Sequence, residues 1–362
     1  ISHELLTFII KKKIVDFNYK THYNPILSDA GFHNNLVYRV KKISSIDQAH
    51  DYIKTLGEIP NFVKQNIKLI SKGIEMGISQ PKIIFEGYNT TYDKHITPSY
   101  KSNFYYSPFL KLPNSIPNYI KDSLQVLAAN IIMDSVVPSF KKIKNFFEKE
   151  YLPRTRSTIG VSQIPNGDKY YESRIRYYTT LEIKPQEIHN LGIAEVEKIK
   201  KQMFKIISEV KFQGDFKEFL SFLRTNKKFY ASSPNELLVH ARDIAKRLDE
   251  QLPRFFKHLP RQPYGVAPVP LAIAPKYTGG RYIPAPKDGA IPGFYWVNTY
   301  NLPSRPLFNI PALTAHEAVP GHHLQGALNK ELPESIPRFR KDLYLSAFGE
   351  GWGLYSELLA EE

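Results

Sequence analysis

Two histidines and a glutamate lie close together in a His-Glu-x-x-Pro-Gly-His pattern at residues 316–322. A zinc ion that catalyses hydrolysis usually has three protein ligands and one position open to water. In the standard zinc-peptidase helix the two histidines are four residues apart, and the glutamate between them is the general base. His316 and His322 are six apart, so on a regular helix they differ by about 9 Å in height and about 240° in direction. His323 lies on nearly the same helix face as His316 but roughly 10 Å further along the axis. On a regular helix, one ion therefore could not bind His316 together with either of the later histidines.

Pro320 and Gly321 offer a way to bring the histidines together. Proline has no amide donor and clashes with the carbonyl four residues earlier, here that of His316. Glycine adopts backbone conformations that other residues avoid. The pair therefore predicts an interrupted helix in which two residues loop out and His322 returns towards His316. The alternative is a helix that ends at Val319 with a histidine-rich C-terminus and binds no metal.

A second helical segment, at residues 350–357, carries two glutamates and two further glycines. Glu350 follows His322 by 28 residues, which is enough for a turn and an antiparallel return. It could then complete a site of two histidines and one glutamate. Glu357, two turns further on nearly the same face, could orient a histidine from outside the ligand set. The alternative, two solvent-facing glutamates, leaves the glycines around Trp352 unexplained, because glycine destabilises a helix.

Composition restricts the kinds of site that the chain can build. It contains no cysteine, which excludes disulfides, thiolate nucleophiles and cysteine-based metal sites. A net charge of +14 makes nucleic-acid binding an alternative, but the lysines are spread along helical faces and no binding motif accompanies them. The apolar stretches, such as residues 5–10, are too short to span a bilayer. We therefore expect neither nucleic-acid binding nor a transmembrane segment, and the oligomeric state stays open.

Helical patterns dominate residues 1–258, which we interpret as a scaffold. We expect a break between Gly57 and Pro60, a kink at Pro138, a helix from Pro185 to about residue 212, and another that Ser233 caps and that runs to about Leu252. From residue 259 the chain is rich in proline, glycine and aromatic residues, and residues 293–299 read as a strand. Residues 259–362 thus combine a strand with the metal-binding helices, in one continuous domain with the scaffold. The expected fold is mostly α with a small β element.

Several motifs together resemble the domain-of-unknown-function family 885, which is grouped by similarity with the gluzincin-type zinc peptidases. The resemblance extends from about residue 45 to the end of the chain. Because members of that family continue beyond the second glutamate helix, we expect this chain to be a fragment truncated at its C-terminus. The matching motifs are His-Glu-x-x-Pro-Gly-His-His-Leu-Gln at 316–325, Glu-Gly-Trp-x-x-Tyr-x-Glu at 350–357, Pro-Arg-x-Arg at 153–156, Ile-Gly at 159–160, Pro-Asn-Gly at 165–167, Tyr-Tyr at 170–171, Glu-Ile-His-x-Leu-Gly at 187–192, Asp-Gly-x-x-Pro-Gly at 288–293 and Asn-Thr-Tyr at 298–300.

The resemblance implies a gluzincin-like fold and a Zn²⁺ ion bound by His316, His322 and Glu350, with Glu317 as general base. The strand at 293–299 would be an edge strand that pairs with an extended peptide substrate. A tetrahedral oxyanion would need a further donor. The candidates for this donor are Tyr355, Tyr300 and His323, and those for substrate binding are Asn298, Thr299, Tyr300 and Arg305, the last for a substrate carboxylate.

The expected function is therefore zinc-dependent hydrolysis of peptide bonds. The alternatives are a zinc amidohydrolase that acts on non-peptide amides and a catalytically inactive peptide-binding module. The absence of cysteine and one glycosylation-type triplet at residues 89–91 favour a secreted or periplasmic location.

Overall fold

The computed structural model describes residues 1–27, 31–271, 273–286 and 291–361. These residues divide between an N-terminal unit, His3–Ser173, and a C-terminal unit that consists of Ile1–Ser2 and Arg174–Glu362. The fold is mostly helical with one small sheet, which confirms the predicted class. The composition change at residue 259 falls inside the C-terminal unit, so the strands and the histidine-bearing helices share that unit with the helices before them.

The N-terminal unit is built from helices that pack around a core rich in aromatic side chains. The predicted break after Gly57 is confirmed, because one helix ends there and the next begins at Ile59. The α-helices are α1 (Ser2–Asn18), α2 (Ile46–Gly57), α3 (Ile59–Glu75), α4 (Thr90–Asp93), α5 (Asn118–Ile131), α6 (Val137–Phe146) and α7 (Gly167–Thr179), in which the boundary between the units falls. Short 3-10 helices cover Thr21–Tyr23, Asn34–Arg39, Lys82–Phe85, Tyr100–Ser102, Phe104–Lys111, Leu152–Arg154 and Val161–Gln163.

Helices α5 and α6 form one continuous helical segment, Asn118–Arg154, that π-helical turns interrupt at Ile132–Val136 and Phe147–Tyr151. Pro138 stands in the first turn after the first π turn, so the predicted interruption is confirmed. A residue without an amide donor weakens the helical ladder at that point. By length and composition this segment could cross a membrane. Its side chains such as Leu124 and Phe140 pack in the core of the unit, and the absence of a transmembrane segment stays a prediction.

The C-terminal unit continues with α8 (Pro185–Glu209), α9 (Phe216–Thr225) and α10 (Pro234–Phe255). The predicted cap of α10 is confirmed, because the Ser233 hydroxyl accepts a hydrogen bond from the Glu236 amide. Beyond the sheet lie the helices that carry the candidate site. They are α11 (Ile310–Glu317), α12 (His322–Lys330), α13 (Arg338–Lys341) and α14 (Ser346–Leu359), and 3-10 helices cover Lys227–Phe229, Ala274–Lys276, Leu302–Ser304 and Leu307–Asn309.

Within the described residues the sheet has three strands, β1 (Tyr264–Pro268), β2 (Gly280–Ile283) and β3 (Gly293–Val297), in the order β1-β3-β2. Strand β3 pairs in parallel with β1 and antiparallel with β2. The strand expected at 293–299 therefore exists over five residues, but the expectation that it is an edge strand is wrong. Its aromatic and β-branched residues predict a strand, and burial alternates along it. Its two short neighbours lie in a segment rich in proline and glycine, where the sequence shows no strand pattern. The edge strand beside α11 is β2.

Candidate metal centre

The histidine-bearing segment is interrupted where proline and glycine follow one another. Helix α11 ends at Glu317 and α12 begins at His322, which confirms the predicted break. Gly321 packs so closely against this turn that a Cβ atom there would overlap the carbonyl oxygens of Ala315 and His316. The His323 amide donates to the Ala318 carbonyl at 3.0 Å and closes the loop. Glycine is thus required here because the backbone approaches the end of α11 without room for a side chain.

The break brings together three side chains from α11, α12 and α14. One donor atom each from His316, His322 and Glu350 lies within 4.8 Å of the others. Glu350 Oε2 is 3.4 Å from Nε2 of His316 and 3.8 Å from Nε2 of His322. Donors at about 2.0–2.1 Å from a tetrahedral zinc ion lie about 3.4 Å apart, which matches the distance between Glu350 and His316 and is shorter than that between Glu350 and His322. Two imidazoles and one carboxylate are also a donor set that zinc accepts.

The hydrogen bond between His316 and Glu357 shows which ring nitrogen of His316 carries the proton. Its Nδ1 lies 2.7 Å from Glu357 Oε1, and a carboxylate can only accept, so Nδ1 carries the proton. In the neutral ring Nε2 then carries a lone pair, and it faces the carboxylate of Glu350. A cation between Nε2 and that carboxylate would stabilise this arrangement. Glu357 has the position expected of a residue that orients a ligand.

Gly353 leaves room for the His316 ring to pack against α14. A Cβ atom at this position would lie 2.6 Å from Nε2 of the imidazole, so the ring occupies the space that a larger residue would need. The Trp352 indole donates to the Pro320 carbonyl at 2.8 Å and fixes α14 to the loop before α12. The predicted cost of glycines in this helix is therefore offset, at Gly353, by contact with a candidate ligand.

Glu317 lies beside the three candidate ligands but is not one of them. Its Oε2 accepts a hydrogen bond of 2.8 Å from the Tyr282 amide on β2. Burial raises its pKa, and the Tyr282 amide opposes that rise. No hydrogen bond within the described ranges involves Oε1, so this oxygen is available to accept from a water molecule.

Tyr344, which the sequence analysis did not single out, is part of the site. Its hydroxyl donates to Glu350 Oε1, and this hydrogen bond is the main cause of a lowered pKa for Glu350. Burial and the nearby Glu350 raise the pKa of Tyr344 itself. Burial also lowers the pKa of His322. No sequence signal indicated Tyr344, because it stands between α13 and α14, outside every motif.

Two candidate oxyanion donors lie in other environments. His323 is buried, with its ring 4.6 Å from that of Tyr264 and Nδ1 3.3 Å from the Tyr282 hydroxyl. Burial lowers its pKa to about 4. Tyr355 is half exposed, and its ring packs near Trp352. The structure brings neither side chain into the group of His316, His322 and Glu350, and their catalytic role stays a prediction.

The candidate substrate-binding residues lie after β3. Asn298 is fully buried, and its side-chain amide nitrogen donates to the carbonyls of the segment before β2, at residues 274, 277 and 278. Its side-chain oxygen accepts from the Tyr300 amide, so Asn298 links the segment after β3 to the loop that leads into β2. Thr299 is buried, whereas Tyr300 is half exposed.

Arg305 is partly buried near Gly279, and within the described part of the chain its Nε has no hydrogen-bond partner. Burial lowers its pKa. A role for Arg305 in binding a substrate carboxylate stays a prediction. Asp288 and Gly289, which belong to a motif of the resemblance, lie outside the described residues.

Comparison with known proteins gives a family and similar solved structures. The family described as "Bacterial protein of unknown function (DUF885)" matches over residues 1–362. The crystal structure of the "putative lipoprotein from Colwellia psychrerythraea" is similar at 27% sequence identity and a TM-score of 0.81. The similarity covers 88% of this chain and 56% of that one, so this chain spans little more than half of that protein. No curated protein matches the chain.

Proposed function

The chain belongs to the DUF885 family of bacterial proteins, and we propose that it carries the metal centre of a zinc-dependent hydrolase that cleaves peptide bonds. The observation that carries this proposal is the convergence of His316, His322 and Glu350, with Glu317 beside them and outside the ligand set. Two neutral imidazoles and one carboxylate form the ligand set of many zinc hydrolases.

A bound zinc ion supplies two effects, since it lowers the pKa of water and polarises a carbonyl group. The protein supplies the proton transfer. Glu317, held through Oε2 by the Tyr282 amide, accepts a proton from the attacking water on Oε1 and passes it to the leaving amine.

The position of β2 supports a peptide as the substrate. The Tyr282 amide donates to Glu317 and not to β3, so it points towards the edge of β2 that no described strand pairs with. An extended peptide could pair with this edge and would then place a backbone carbonyl beside Glu317. A small non-peptide amide would gain nothing from the same edge.

We also propose that the C-terminal unit has a gluzincin-type arrangement. The general base and first histidine lie at the end of one helix, the second histidine opens the next, and the glutamate ligand lies on the later helix α14. An extracytoplasmic location is consistent with the similar protein, which is described as a lipoprotein. Fractionation of the native cells, with the protein found in the cytoplasm alone, would contradict that location.

The decisive experiment separates hydrolysis from metal binding. We expect Glu317→Gln to lower the rate of peptide hydrolysis at least about 100-fold, because a general base contributes that much. Zinc content, measured by elemental analysis, should stay near that of the wild type, because Glu317 is not a ligand. The substrates are a mixed library of internally quenched peptides, and the protein is tested at its full natural length.

Glu334→Gln is the matched control, since Glu334 is an exposed glutamate of the same unit. It should leave both hydrolysis and zinc content unchanged. If Glu317→Gln loses zinc, Glu317 is a ligand and the assigned roles are wrong. If it keeps full activity, Glu317 is not the base.

A further inference from the structure

Glu350 differs from the two candidate histidine ligands in how firmly the fold holds it. The side chains of His316 and His322 are 19% and 14% exposed, whereas that of Glu350 is 60% exposed. An exposed glutamate has several rotamers, and ordering it costs conformational entropy. A ligand of this kind needs a partner that selects one orientation before the metal binds.

Tyr344 supplies that partner. Its hydroxyl donates to Oε1 of Glu350, while Oε2 is the oxygen that lies 3.4 and 3.8 Å from the two imidazole nitrogens. The two oxygens of one carboxylate therefore have separate roles. The hydrogen bond holds Oε1 and leaves Oε2 facing the histidines.

Gly349 leaves room for the Tyr344 ring to pack against α14. A Cβ atom at Gly349 would overlap ring atoms and the hydroxyl of Tyr344, so the ring packs directly on the helix backbone one residue before Glu350. Gly351, one residue after Glu350, has nothing within 4 Å of such a Cβ atom. Gly349 and Gly351 thus stand on either side of Glu350 in one helix, and of the two only Gly349 packs against the Tyr344 ring.

We propose that Tyr344 is a positioning residue for Glu350, and that Gly349 is a glycine because it must accommodate the Tyr344 ring. The proposal rests on the proposed function in one respect, that Glu350 is a metal ligand. Tyr344 acts through Glu350: it fixes the carboxylate so that one oxygen faces the histidines, and it keeps the other oxygen from becoming a second ligand atom.

The test is zinc affinity, measured by competition with a chromogenic chelator on the metal-free protein. We expect Tyr344→Phe and Gly349→Ala each to weaken zinc binding by about 10–100-fold, the usual cost of removing a group that orients a ligand. Gly351→Ala should keep the wild-type affinity. Both glycine substitutions replace glycine by alanine in one helix, which by itself stabilises the helix, so the difference between their zinc affinities isolates the effect of the ring position.

Cobalt substitution gives a second measurement that a merely structural role of Tyr344 would not change. Without the hydroxyl, Oε1 is free to join the metal, so the visible absorption of Co²⁺ in Tyr344→Phe should weaken as the coordination number rises. Tyr178→Phe, at an exposed tyrosine of the same unit, should leave the spectrum and the affinity unchanged.

The outcomes separate the two proposals. If the wild type binds no zinc, the metal centre itself is wrong, and the positioning role falls with it. If the wild type binds zinc and Tyr344→Phe binds it equally well with the same cobalt spectrum, only the positioning role is overturned. If Gly351→Ala weakens zinc binding as much as Gly349→Ala does, the effect belongs to the helix and not to the ring, which also overturns the proposal.

Discussion

Two pairs of histidines, one in each unit, show opposite uses of the same side chain. His33 and His95 in the N-terminal unit are buried among aromatic rings, including those of Phe147 and Phe140. His316 and His322 in the C-terminal unit are partly buried and face the carboxylate of Glu350. Both pairs have lost much of their contact with water, but only the second pair lies opposite negative charge.

The hydrogen-bond partner of the His33 ring is a neutral hydroxyl. The Thr91 hydroxyl donates to the Tyr88 carbonyl, so it must accept from Nε2 of His33, which therefore carries the ring proton. Within the described residues, Nδ1 of His33 and Nδ1 of His95 have no hydrogen-bond partner. Burial lowers the pKa of each ring to about 3. Burial, with a smaller contribution from the positive charge of Lys94, thus keeps these two rings neutral, whereas the candidate ligands face carboxylates as well.

The largest expected effect is the loss of a ligand. We expect His322→Ala to weaken zinc binding by more than the factor of about 10–100 that is typical for a group that only orients a ligand. His95→Gln should leave zinc affinity unchanged, although it disturbs the core of the N-terminal unit. Competition with a chromogenic chelator measures both variants, and equal affinities for His322→Ala and the wild type would remove the distinction between the two pairs.

The next effect concerns pH and belongs to the first pair. An unfolded histidine binds a proton below about pH 6.5, whereas His33 and His95 stay neutral in the fold until about pH 3. The unfolded state therefore binds more protons in this window, and stability falls as the pH decreases from about 6.5 to about 3. We expect a loss on the order of a few kcal/mol for each of the two histidines in the free energy of unfolding, measured by urea denaturation at a series of pH values.

The slope with pH, and not the stability itself, tests this assignment. His33→Asn should be less stable than the wild type at neutral pH and should lose less stability on acidification. His50→Gln, at an exposed position, should keep the wild-type slope. A wild-type slope in His33→Asn would show that His33 does not cause the acid sensitivity.

Much of the candidate site could be predicted from the sequence, because local rules determine its backbone. Pro320 lacks an amide donor and Gly321 lacks a Cβ atom, and both facts predict the break between α11 and α12. Helical spacing in α14 likewise predicts that Glu350 and Glu357 share a face. The break after Gly57 and the Ser233 cap follow from the same kind of local signal.

Features that depend on distant contacts could not be predicted in the same way. The central position of β3 depends on strands from two other segments, and no local pattern fixes the order of strands in a sheet. The substrate-binding role of Asn298 stays a prediction, whereas the contact of its amide with backbone carbonyls up to 24 residues away in sequence could not be read from any local pattern. Tyr344 stands outside every motif, and its role becomes visible only when Gly349 and Glu350 are placed beside it.

The smallest effect that we predict tests what distinguishes His316 from the neutral pair. His33 donates from its ring to a neutral hydroxyl, whereas His316 donates to the carboxylate of Glu357. In Glu357→Gln the side-chain oxygen can still accept that hydrogen bond, so the tautomer of His316 survives and only the negative charge is lost. We therefore expect zinc binding to weaken by about tenfold, the lower end of the range for groups that orient a ligand. Glu361→Gln is the control, because Glu361 is exposed and follows the same helix, and it should keep the wild-type affinity. If the affinity of Glu357→Gln equals that of the wild type, the charge of Glu357 does not strengthen His316 as a ligand, and its contribution is geometric alone.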